Sequence, residues 1–242
     1  MDAIKIEGLT KRYKDVLAVD HLTLAVAEGE LLSLLGVNGA GKTTTIKMLC
    51  CLTVPTEGEA YLLGKSITRE AGAVKELIAV SPQESAVAPL LTARENLALI
   101  AGIHGLSAEQ SKAKIAELTA LLGLRSVLDR RAGKLSGGWQ RRLSIAMALI
   151  SEPRILFLDE PTLGLDVLAR ADLWEIIRAL KGKTTILLTT HYMEEAEALS
   201  DRIAIMKDGR LLLADTPAAL KKQTGEDSVE RAFIKIVKEA RQ

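Results

Sequence analysis

The stretch that decides the fold occupies positions 36–43 and reads Gly36-Val37-Asn38-Gly39-Ala40-Gly41-Lys42-Thr43. It fits the pattern G-x-x-x-x-G-K-[ST] at every fixed position, which is typical of loops that bind phosphate groups through backbone N–H groups. The preceding run 31–35 is largely apolar, as in a strand buried on both faces, and a helix is predicted over about 41–52. Strand, loop and helix in this order predict a phosphate site at the N-terminus of the helix, where the peptide dipoles favour an anion.

Individual residues of this loop have predicted roles. Lys42 is expected to reach the β- and γ-phosphates of a nucleotide, and Thr43 is expected to ligate Mg²⁺. The residues predicted to contact the nucleotide here are Gly36, Asn38, Gly39, Gly41, Lys42, Thr43 and Thr44. An accidental glycine-rich turn is the alternative interpretation, which the complete pattern and its context disfavour.

Two acidic residues follow a second apolar run. Residues 155–158 are all apolar, and Asp159 and Glu160 come directly after them. Carboxylates at the end of a buried strand are costly unless a cation or a reaction uses them. We therefore predict that Asp159 holds Mg²⁺, directly or through water, and that Glu160 polarises an attacking water as a general base. A solvated strand end is the alternative, and the phosphate loop earlier in the chain disfavours it.

Composition limits the class of protein and its partners. Hydrophobic residues make up 48% of the 242 residues, enough for a sizeable core. There are 32 basic and 31 acidic residues, and no basic patch is evident, so we predict no nucleic-acid partner. Cys50 and Cys51 are neighbours, which point in different directions on a helix and rarely form a disulfide. Two thiols in a reducing cytosol are the favoured interpretation, and a redox switch is the alternative.

The sequence also bears on membrane insertion. The first residues lack the charged-then-apolar layout of a signal peptide, and no apolar run reaches the ~18 residues needed to span a bilayer. The longest candidate, near 90–103, is interrupted by Arg94, Glu95 and Asn96. If this protein moves something across a membrane, we expect another chain to supply the path.

Hydrophobic periodicity and capping patterns predict the secondary structure and domain organisation. Alternating apolar residues around 4–6 and 22–26 indicate half-buried strands, and capping boxes starting at Thr92 and Ser107 indicate helices. Asp208-Gly209 between two apolar runs indicates a hairpin. We predict one α/β domain with a P-loop core, a mixed sheet, an antiparallel β region near the N-terminus and an inserted helical subdomain. Its predicted divisions are a core over about 1–83 and 152–215, an insert over about 84–151 and a helical tail over about 216–242.

A third motif identifies a family. The segment Leu135-Ser136-Gly137-Gly138-Trp139-Gln140 resembles the signature motif of ABC ATPases. The order of aromatic residue, phosphate loop, glutamine, signature, carboxylates and histidine also matches that family over about 4–215. A phosphate loop alone would leave many families open, whereas this ordered set is highly specific. The resemblance implies ATP and Mg²⁺ as the bound molecules and ATP hydrolysis as the reaction.

The resemblance further implies roles for residues outside the phosphate loop. Tyr13 would stack on adenine, and Gln83 would contact Mg²⁺ or water and signal to a transport partner. His191 would reach the γ-phosphate as a catalytic residue. Asp166 would lie in the loop facing the opposing subunit, and it can at the same time be the N-cap of a helix.

The resemblance implies two copies as well. Ser136, Gly137 and Gly138 at a helix N-terminus would serve the nucleotide bound to the other subunit, so that two subunits enclose two ATP molecules head to tail. Whether the two subunits are identical is left open. At the position that follows Ser-Gly-Gly the family most often has Gln, whereas this chain has Trp139. Packing near the partner's nucleotide and a tolerated substitution within the helix are the two interpretations.

The branch of the family is indicated by the segments 191–197, 202–211 and 227–233, which resemble bacterial exporters of the drug-resistance and sodium-efflux type. We therefore predict the ATP-binding subunit of an exporter, at the cytoplasmic face of the membrane and bound to an integral membrane subunit. The alternative is a soluble ABC ATPase of the iron–sulfur assembly type. A small-molecule kinase is disfavoured because it has no use for the segment 135–138.

Overall fold

The computed structural model describes residues 2–240, so that Met1, Arg241 and Gln242, which the sequence assigns to the core and the tail, lie outside the described residues. The strands are β1 (Asp2–Tyr13), β2 (Val16–Ala27), β3 (Leu31–Leu35), β4 (Glu57–Leu62), β5 (Lys65–Ser66), β6 (Ile78–Ser81), β7 (Ile155–Asp159), β8 (Thr185–Thr190), β9 (Arg202–Lys207) and β10 (Arg210–Asp215). The helices are α1 (Lys42–Leu49), α2 (Ala71–Leu77), α3 (Ala93–Ile103), α4 (Ala108–Leu121), α5 (Gly137–Leu149), α6 (Val167–Leu180), α7 (Met193–Leu199), α8 (Pro217–Thr224) and α9 (Val229–Glu239).

A mixed sheet of six strands forms the centre, in the order β10-β9-β3-β8-β7-β6. All its neighbouring strands are parallel except β9 and β10, which form an antiparallel hairpin. Every residue of β3, β7 and β8 is buried, which explains the apolar runs in the sequence. The predicted mixed sheet is therefore confirmed.

The same parallel pairing positions the functional residues. Leu35 at the end of β3 pairs with Thr190 of β8, and Asp159 at the end of β7 pairs with Thr189. The carboxyl ends of these three strands thus lie side by side. Because ligands of α/β proteins bind outside the carboxyl ends of parallel strands, the loops that follow β3, β7 and β8 are brought to one edge.

A second, antiparallel sheet has the order β2-β1-β4-β5. Its apolar residues and α1 share one core cluster with Phe157, whereas Leu158 belongs to a cluster on the other face with residues of α3–α6. Successive side chains of a strand point to opposite faces, so β7 contributes to both layers. The antiparallel sheet predicted near the N-terminus is confirmed.

The elements between positions 84 and 151 are helical, as predicted. At the start of α3, Thr92 and Glu95 form the predicted capping box, and Ser107 and Gln110 do so at the start of α4. Two short 3₁₀ turns, Leu124–Ser126 and Ala132–Lys134, lead into α5. Among the helices of residues 2–240, none combines the length and the apolar character needed to cross a membrane. The division of the chain into core, insert and tail stays a prediction.

Two local predictions were inaccurate or incomplete. Helix α1 ends at Leu49 rather than near position 52, because Cys50 is its C-cap and Cys51 has a left-handed φ of 54°. Strands β4 to β6 and helix α2 had no clear signal in the sequence, since they are short and only partly apolar. The hairpin at 208–209 is confirmed: both residues have positive φ, as an Asp-Gly turn of two residues requires.

Candidate functional site

A cavity of about 730 Å³ opens at the edge where β3, β7 and β8 end. It is lined by Val16, Leu17, Ala18, Asn38, Gly39, Ala40, Gly41, Lys42, Thr43, Thr44, Gln83, Glu160, Leu163, His191 and Asp208. The structure thus brings the phosphate loop, the glutamine, the second carboxylate and the histidine around one space. These are the groups that the sequence predicts to act together, although they come from four separate segments.

The backbone of the phosphate loop depends on two of its glycines. Gly41 has φ 99°, and a Cβ there would lie 2.4 Å from the carbonyl oxygen of Ala18. A Cβ on Gly36 would lie 2.5 Å from the carbonyl oxygen of Met206. Both distances are far below van der Waals contact, so any larger residue would push the loop away from β2 or β9. Gly41 is also the N-cap of α1, where the first N–H groups of the helix have no intrahelical partner.

The ammonium group of Lys42 is buried inside the loop. Its Nζ donates to the carbonyl oxygen of Gly36 at 2.8 Å and to that of Val37 at 3.3 Å. It also lies 3.5 Å from Oε1 of Glu160. A single buried cation therefore lies between the phosphate loop and the end of β7, and it faces a cavity large enough for a nucleotide.

Asp159 and Thr43 form a pair of oxygen donors. Thr43 Oγ1 donates to Asp159 Oδ1 at 3.1 Å, and Thr189 Oγ1 donates to the same carboxylate oxygen at 2.5 Å. Hydroxyl, carboxylate and amide oxygens are hard ligands of the kind that Mg²⁺ takes alongside phosphate oxygens and water. Gln83, which lines the same cavity, supplies such an amide. The residues present therefore fit a Mg²⁺ ion.

Glu160 adopts an unusual backbone conformation. Its φ is 47°, in the left-handed region, and its N–H donates to both the carbonyl oxygen and Oγ1 of Thr189, at 3.1 and 3.0 Å. Such a conformation costs about 1–3 kcal/mol and persists where surrounding contacts impose it. The carboxylate is held between two groups, because its Oε2 lies 2.8 Å from His191 Nδ1 and its Oε1 faces Lys42.

The signature residues lie outside this cavity. Ser136 is the N-cap of α5, its side chain makes no capping hydrogen bond, and Ser136 and Gly137 are exposed. Gln140 donates to the carbonyl oxygens of Ala132 and Leu135, so it supports the turn before α5. The exposed N-terminus of α5 therefore contributes no residue to the cavity that the phosphate loop of its own chain lines.

Asp166 and Trp139 both have partners within their own chain. Asp166 caps α6 by accepting from the N–H of Ala169 at 2.9 Å. Trp139 is half-buried against the core cluster of α3–α6, and the Arg142 guanidinium lies 4.8 Å from its ring centroid. Arg142 in turn pairs with Asp172 of α6 at 2.5 Å. The bulk of Trp139 is thus accommodated within its own chain.

Tyr13 is not among the cavity-lining residues of the described chain. It is 44% exposed at the end of β1, pairs with Val16 across the hairpin and has the Lys11 ammonium 5.0 Å from its ring centroid. The residues that line the cavity from this hairpin are Val16, Leu17 and Ala18, which sequence analysis missed. Leu163 and Asp208 were missed as site residues as well, although Asp208 belongs to the predicted Asp-Gly hairpin.

Two buried charged groups lie behind the site. Arg141 of α5 donates to the carbonyl oxygens of Pro82 and Gln83, and burial lowers the pKa of its guanidinium. Glu195 of α7 is fully buried, accepts a hydrogen bond from Trp174 Nε1 at 3.1 Å, and burial raises the pKa of its carboxyl group. Neither residue was predicted, because a lone arginine or glutamate within a helix carries no local signal.

Residues 19–163, more than half of the chain, match the family model described as ABC transporter. The chain is 39% identical over 240 residues to the probable multidrug ABC transporter ATP-binding protein YbhF of Escherichia coli, covering 97% of this chain but only 41% of YbhF. It is 42% identical over 229 residues to the daunorubicin resistance ATP-binding protein DrrA3 of Streptomyces coeruleorubidus, covering 94% and 72% of the two chains. For the Nod factor export ATP-binding protein I of Burkholderia orbicola the identity is 43% over 230 residues, covering 94% and 75%.

Solved structures give the same result. An ATP-binding subunit of an ABC transporter superposes with a TM-score of 0.86 at 29% identity, covering 97% of this chain and 99% of that one. The ATP-binding cassette MJ0796, in a dimeric post-hydrolysis state bound to ADP and Pi, superposes with a TM-score of 0.80 at 29% identity, covering 88% and 98%. The motifs, their convergence on one cavity and these matches agree, and the chain belongs to the ABC transporter family as an ATP-binding ATPase domain.

Proposed function

We propose that this chain hydrolyses ATP as the energy-supplying subunit of a membrane exporter, paired head to tail with a second ATP-binding subunit. The single observation that carries the proposal is that the signature residues do not line the cavity formed by the phosphate loop of the same chain. Lys42, Glu160 and His191 line one cavity, whereas the exposed N-terminus of α5 at Ser136 and Gly137 lies outside it. A site built in this way is completed by a second copy.

The phosphate loop would bind the nucleotide. Backbone N–H groups of the loop and of the start of α1 would donate to the phosphate oxygens, and Asn38, Gly39, Gly41 and Thr44 line the same cavity. Lys42 would exchange its carbonyl partners for the β- and γ-phosphate oxygens. Binding by this loop is insensitive to the base, so selectivity for adenine would come from the hairpin that carries Tyr13 and Val16.

Thr43, Asp159 and Gln83 would hold Mg²⁺. When bound, the ion neutralises negative charge on the phosphate oxygens. The protein residues contribute the orientation of these ligands: Thr189 donates to the Asp159 carboxylate at 2.5 Å and fixes one of its oxygens.

Glu160 would take a proton from the attacking water, as a general base. The left-handed backbone at this residue turns the chain sharply after β7, and two hydrogen bonds to Thr189 hold the turn. His191 lies 2.8 Å from the same carboxylate, so it would orient the base, and by the family resemblance it would also contact the γ-phosphate. This arrangement lets a change at the γ-phosphate reach β8 and the loop that follows it.

The second subunit would supply Ser136, Gly137 and Gly138 to the γ-phosphate, and Asp166 would lie at the contact between subunits. The MJ0796 cassette named above, which is described as dimeric, supports such pairing. Loss of the bridging γ-phosphate removes the charge that both copies bind. The pair then opens, and this movement would be the step delivered to the membrane subunit.

The relatives support export. Their names describe drug resistance, multidrug transport and Nod factor export, and the chain matches DrrA3 over 94% of its length. We therefore propose that the chain acts at the cytoplasmic face of the membrane, bound to an integral membrane subunit. The iron–sulfur assembly alternative gains no support from these relatives, and the near-neutral charge of +1 gives no support for a nucleic-acid partner.

The test is purification of the tagged full chain with Glu160→Gln from the producing cells, in mild detergent with ATP and Mg²⁺. A membrane protein with several spans should be recovered with it. When that membrane protein is placed in vesicles, it should raise the ATPase activity of the wild-type chain above that of the chain alone. Lys42→Ala is the control and should abolish the stimulation. Two results together would contradict the proposal: the chain is recovered without any membrane protein, and vesicles that contain candidate membrane subunits do not change its ATPase activity.

A further inference from the structure

Arg141 joins the signature helix to the loop that carries Gln83. It lies one helical turn after Gly137 in α5 and is only 4% exposed. One of its guanidinium nitrogens donates to the carbonyl oxygen of Pro82 at 2.5 Å, and the other terminal nitrogen donates to the carbonyl oxygen of Gln83. A planar guanidinium that binds two consecutive carbonyl groups fixes the orientation of the peptide between them.

The burial of this charge is costly. Within residues 2–240, no carboxylate forms an ion pair with Arg141, and its identified partners are neutral carbonyl groups. Asp159 and Glu195 favour the charged form only through their electric fields. An apolar residue of similar volume would occupy such a position at lower cost. We therefore assign the Arg141 side chain to holding the loop that carries Gln83 and not to packing alone.

A second contact holds the same helix against the strand before the loop. Ser144 Oγ, almost one turn further along α5, lies 3.0 Å from Ser81 Oγ at the end of β6, and both side chains are buried. Helix α5 is therefore attached to two successive points of the segment 81–83. This helix begins at the signature residues, so a shift of its N-terminus would move the groups that hold the backbone of Gln83.

We propose that Arg141 is a positioning residue, which couples the signature helix to Gln83. Through this coupling, binding of the partner's nucleotide changes how Gln83 holds the chain's own Mg²⁺ and attacking water. The coupling rests on the role proposed above for Gln83. The N-terminus of α5 would thus contact the nucleotide of the other subunit, while the second turn of the same helix orients Gln83 in its own site.

A double-mutant cycle on the full chain tests this coupling. Turnover and its Mg²⁺ dependence are measured for the wild type, Gln83→Ala, Arg141→Met and the double variant, together with the binding of a fluorescent ATP analogue in EDTA. Arg141→Met should lower kcat by about 10–100-fold, because a displacement of about 1 Å near the reacting groups can cost a factor of about 100. It should also raise the Mg²⁺ concentration required, leave analogue binding unchanged, and add nothing to the loss caused by Gln83→Ala.

Arg141→Lys serves where Arg141→Met does not fold, and it should restore turnover only in part, since a lysine can reach one carbonyl but not bridge two. Arg142→Met is the matched control, because it removes a neighbouring guanidinium that contacts Trp139 and Asp172 instead. Its effect should combine with that of Gln83→Ala as independent factors. Independent factors for Arg141→Met and Gln83→Ala would overturn the proposal. An unchanged turnover in Gln83→Ala alone would refute the role of Gln83, and with it the coupling.

Discussion

Oε2 of Glu160 lies 2.8 Å from Nδ1 of His191, while Oε1 of the same carboxylate lies 3.5 Å from Nζ of Lys42. One carboxylate thus joins the end of β7 to the loop after β8 and to the phosphate loop. Each of the three residues occupies a place that the parallel order of β3, β8 and β7 determines. Contacts within the chain therefore hold the predicted base, its histidine and the phosphate-binding lysine together.

Glu160→Gln should abolish turnover while preserving the binding of ATP. The amide keeps the shape of the side chain and can still contact His191, but it cannot take a proton from water. Loss of a general base lowers the rate by about 10²–10⁴-fold. Phosphate release measures the loss, and gel filtration with ATP should detect a trapped dimer.

The control for Glu160→Gln is Glu194→Gln, which changes a carboxylate whose side chain is 83% exposed and should leave turnover unchanged. Near-normal turnover in Glu160→Gln would remove Glu160 from its role. A chain that stays monomeric when saturated with ATP would contradict the head-to-tail pair.

Lys42→Ala should instead weaken the binding of ATP itself. The variant removes the buried cation that faces the phosphates, and a hydrogen bond to a charged group contributes about 1.5–3 kcal/mol, or ~10–150-fold in Kd. Titration with a fluorescent ATP analogue measures the change. Lys47→Ala, at an exposed position of the same helix, is the matched control and should bind as the wild type does. An unchanged affinity in Lys42→Ala would refute the assignment.

The sequence predicts the local structure around these residues because its signals are local, and their roles stay predictions. Gly41 has a positive φ that favours glycine, and Asp159 is recognisable as an acid at the end of an apolar strand. The capping boxes of α3 and α4 are likewise complete within four residues. Wherever a short segment determines its own geometry, the pattern of residues is sufficient to predict the structure.

The other wall of the cavity could not be predicted, because it is made by contacts between distant segments. Val16 and Ala18 line the cavity, and on the same strand the N–H of Asp20 bonds to the carbonyl oxygen of Gly209, which joins two hairpins far apart in sequence. The position of Arg141 beside Pro82 is also a tertiary contact. No periodicity or motif in either segment indicates its partner.

Tyr13→Ala should raise the Kd for ATP. Stacking of a base on an aromatic ring contributes about 1–3 kcal/mol, so a loss of about 5–150-fold is expected if Tyr13 contacts adenine. Tyr13→Phe should retain the affinity because it keeps the ring. Tyr61→Ala, which changes a tyrosine of the antiparallel sheet away from this cavity, is the control. An unaltered Kd in Tyr13→Ala would assign adenine contact to Val16–Ala18 alone.

Trp139→Gln should leave ATPase activity within severalfold of the wild type. The ring packs against its own core cluster and the Arg142 guanidinium, so its loss should mainly lower the free energy of unfolding, by about 1–3 kcal/mol. Phosphate release and thermal melting measure the two effects separately, and Trp139→Phe should recover most of the stability. A loss of ATPase activity as deep as that of Glu160→Gln would show that Trp139 belongs to the site.

Glu195→Gln should change the pH dependence of stability. Burial raises the pKa of the Glu195 carboxyl group above its value in the unfolded chain, although Arg170 on α6 opposes the rise. Between the two pKa values the unfolded chain releases a proton that the folded chain retains. The contribution of Glu195 to stability is therefore fully present below the unfolded pKa and is lost as the pH rises through the folded pKa.

A glutamine keeps the oxygen that accepts from Trp174 Nε1 and does not titrate. Relative to the wild type, Glu195→Gln should consequently gain stability as the pH is raised from the unfolded pKa through the folded pKa of the carboxyl group, with each kcal/mol of gain appearing as about 2–4 °C in Tm. Thermal melting at several pH values measures the difference, and Trp174→Phe tests whether the indole donor is required. A difference in Tm between Glu195→Gln and wild type that is constant over this range would show that the carboxyl group keeps the same pKa in the folded and unfolded chains.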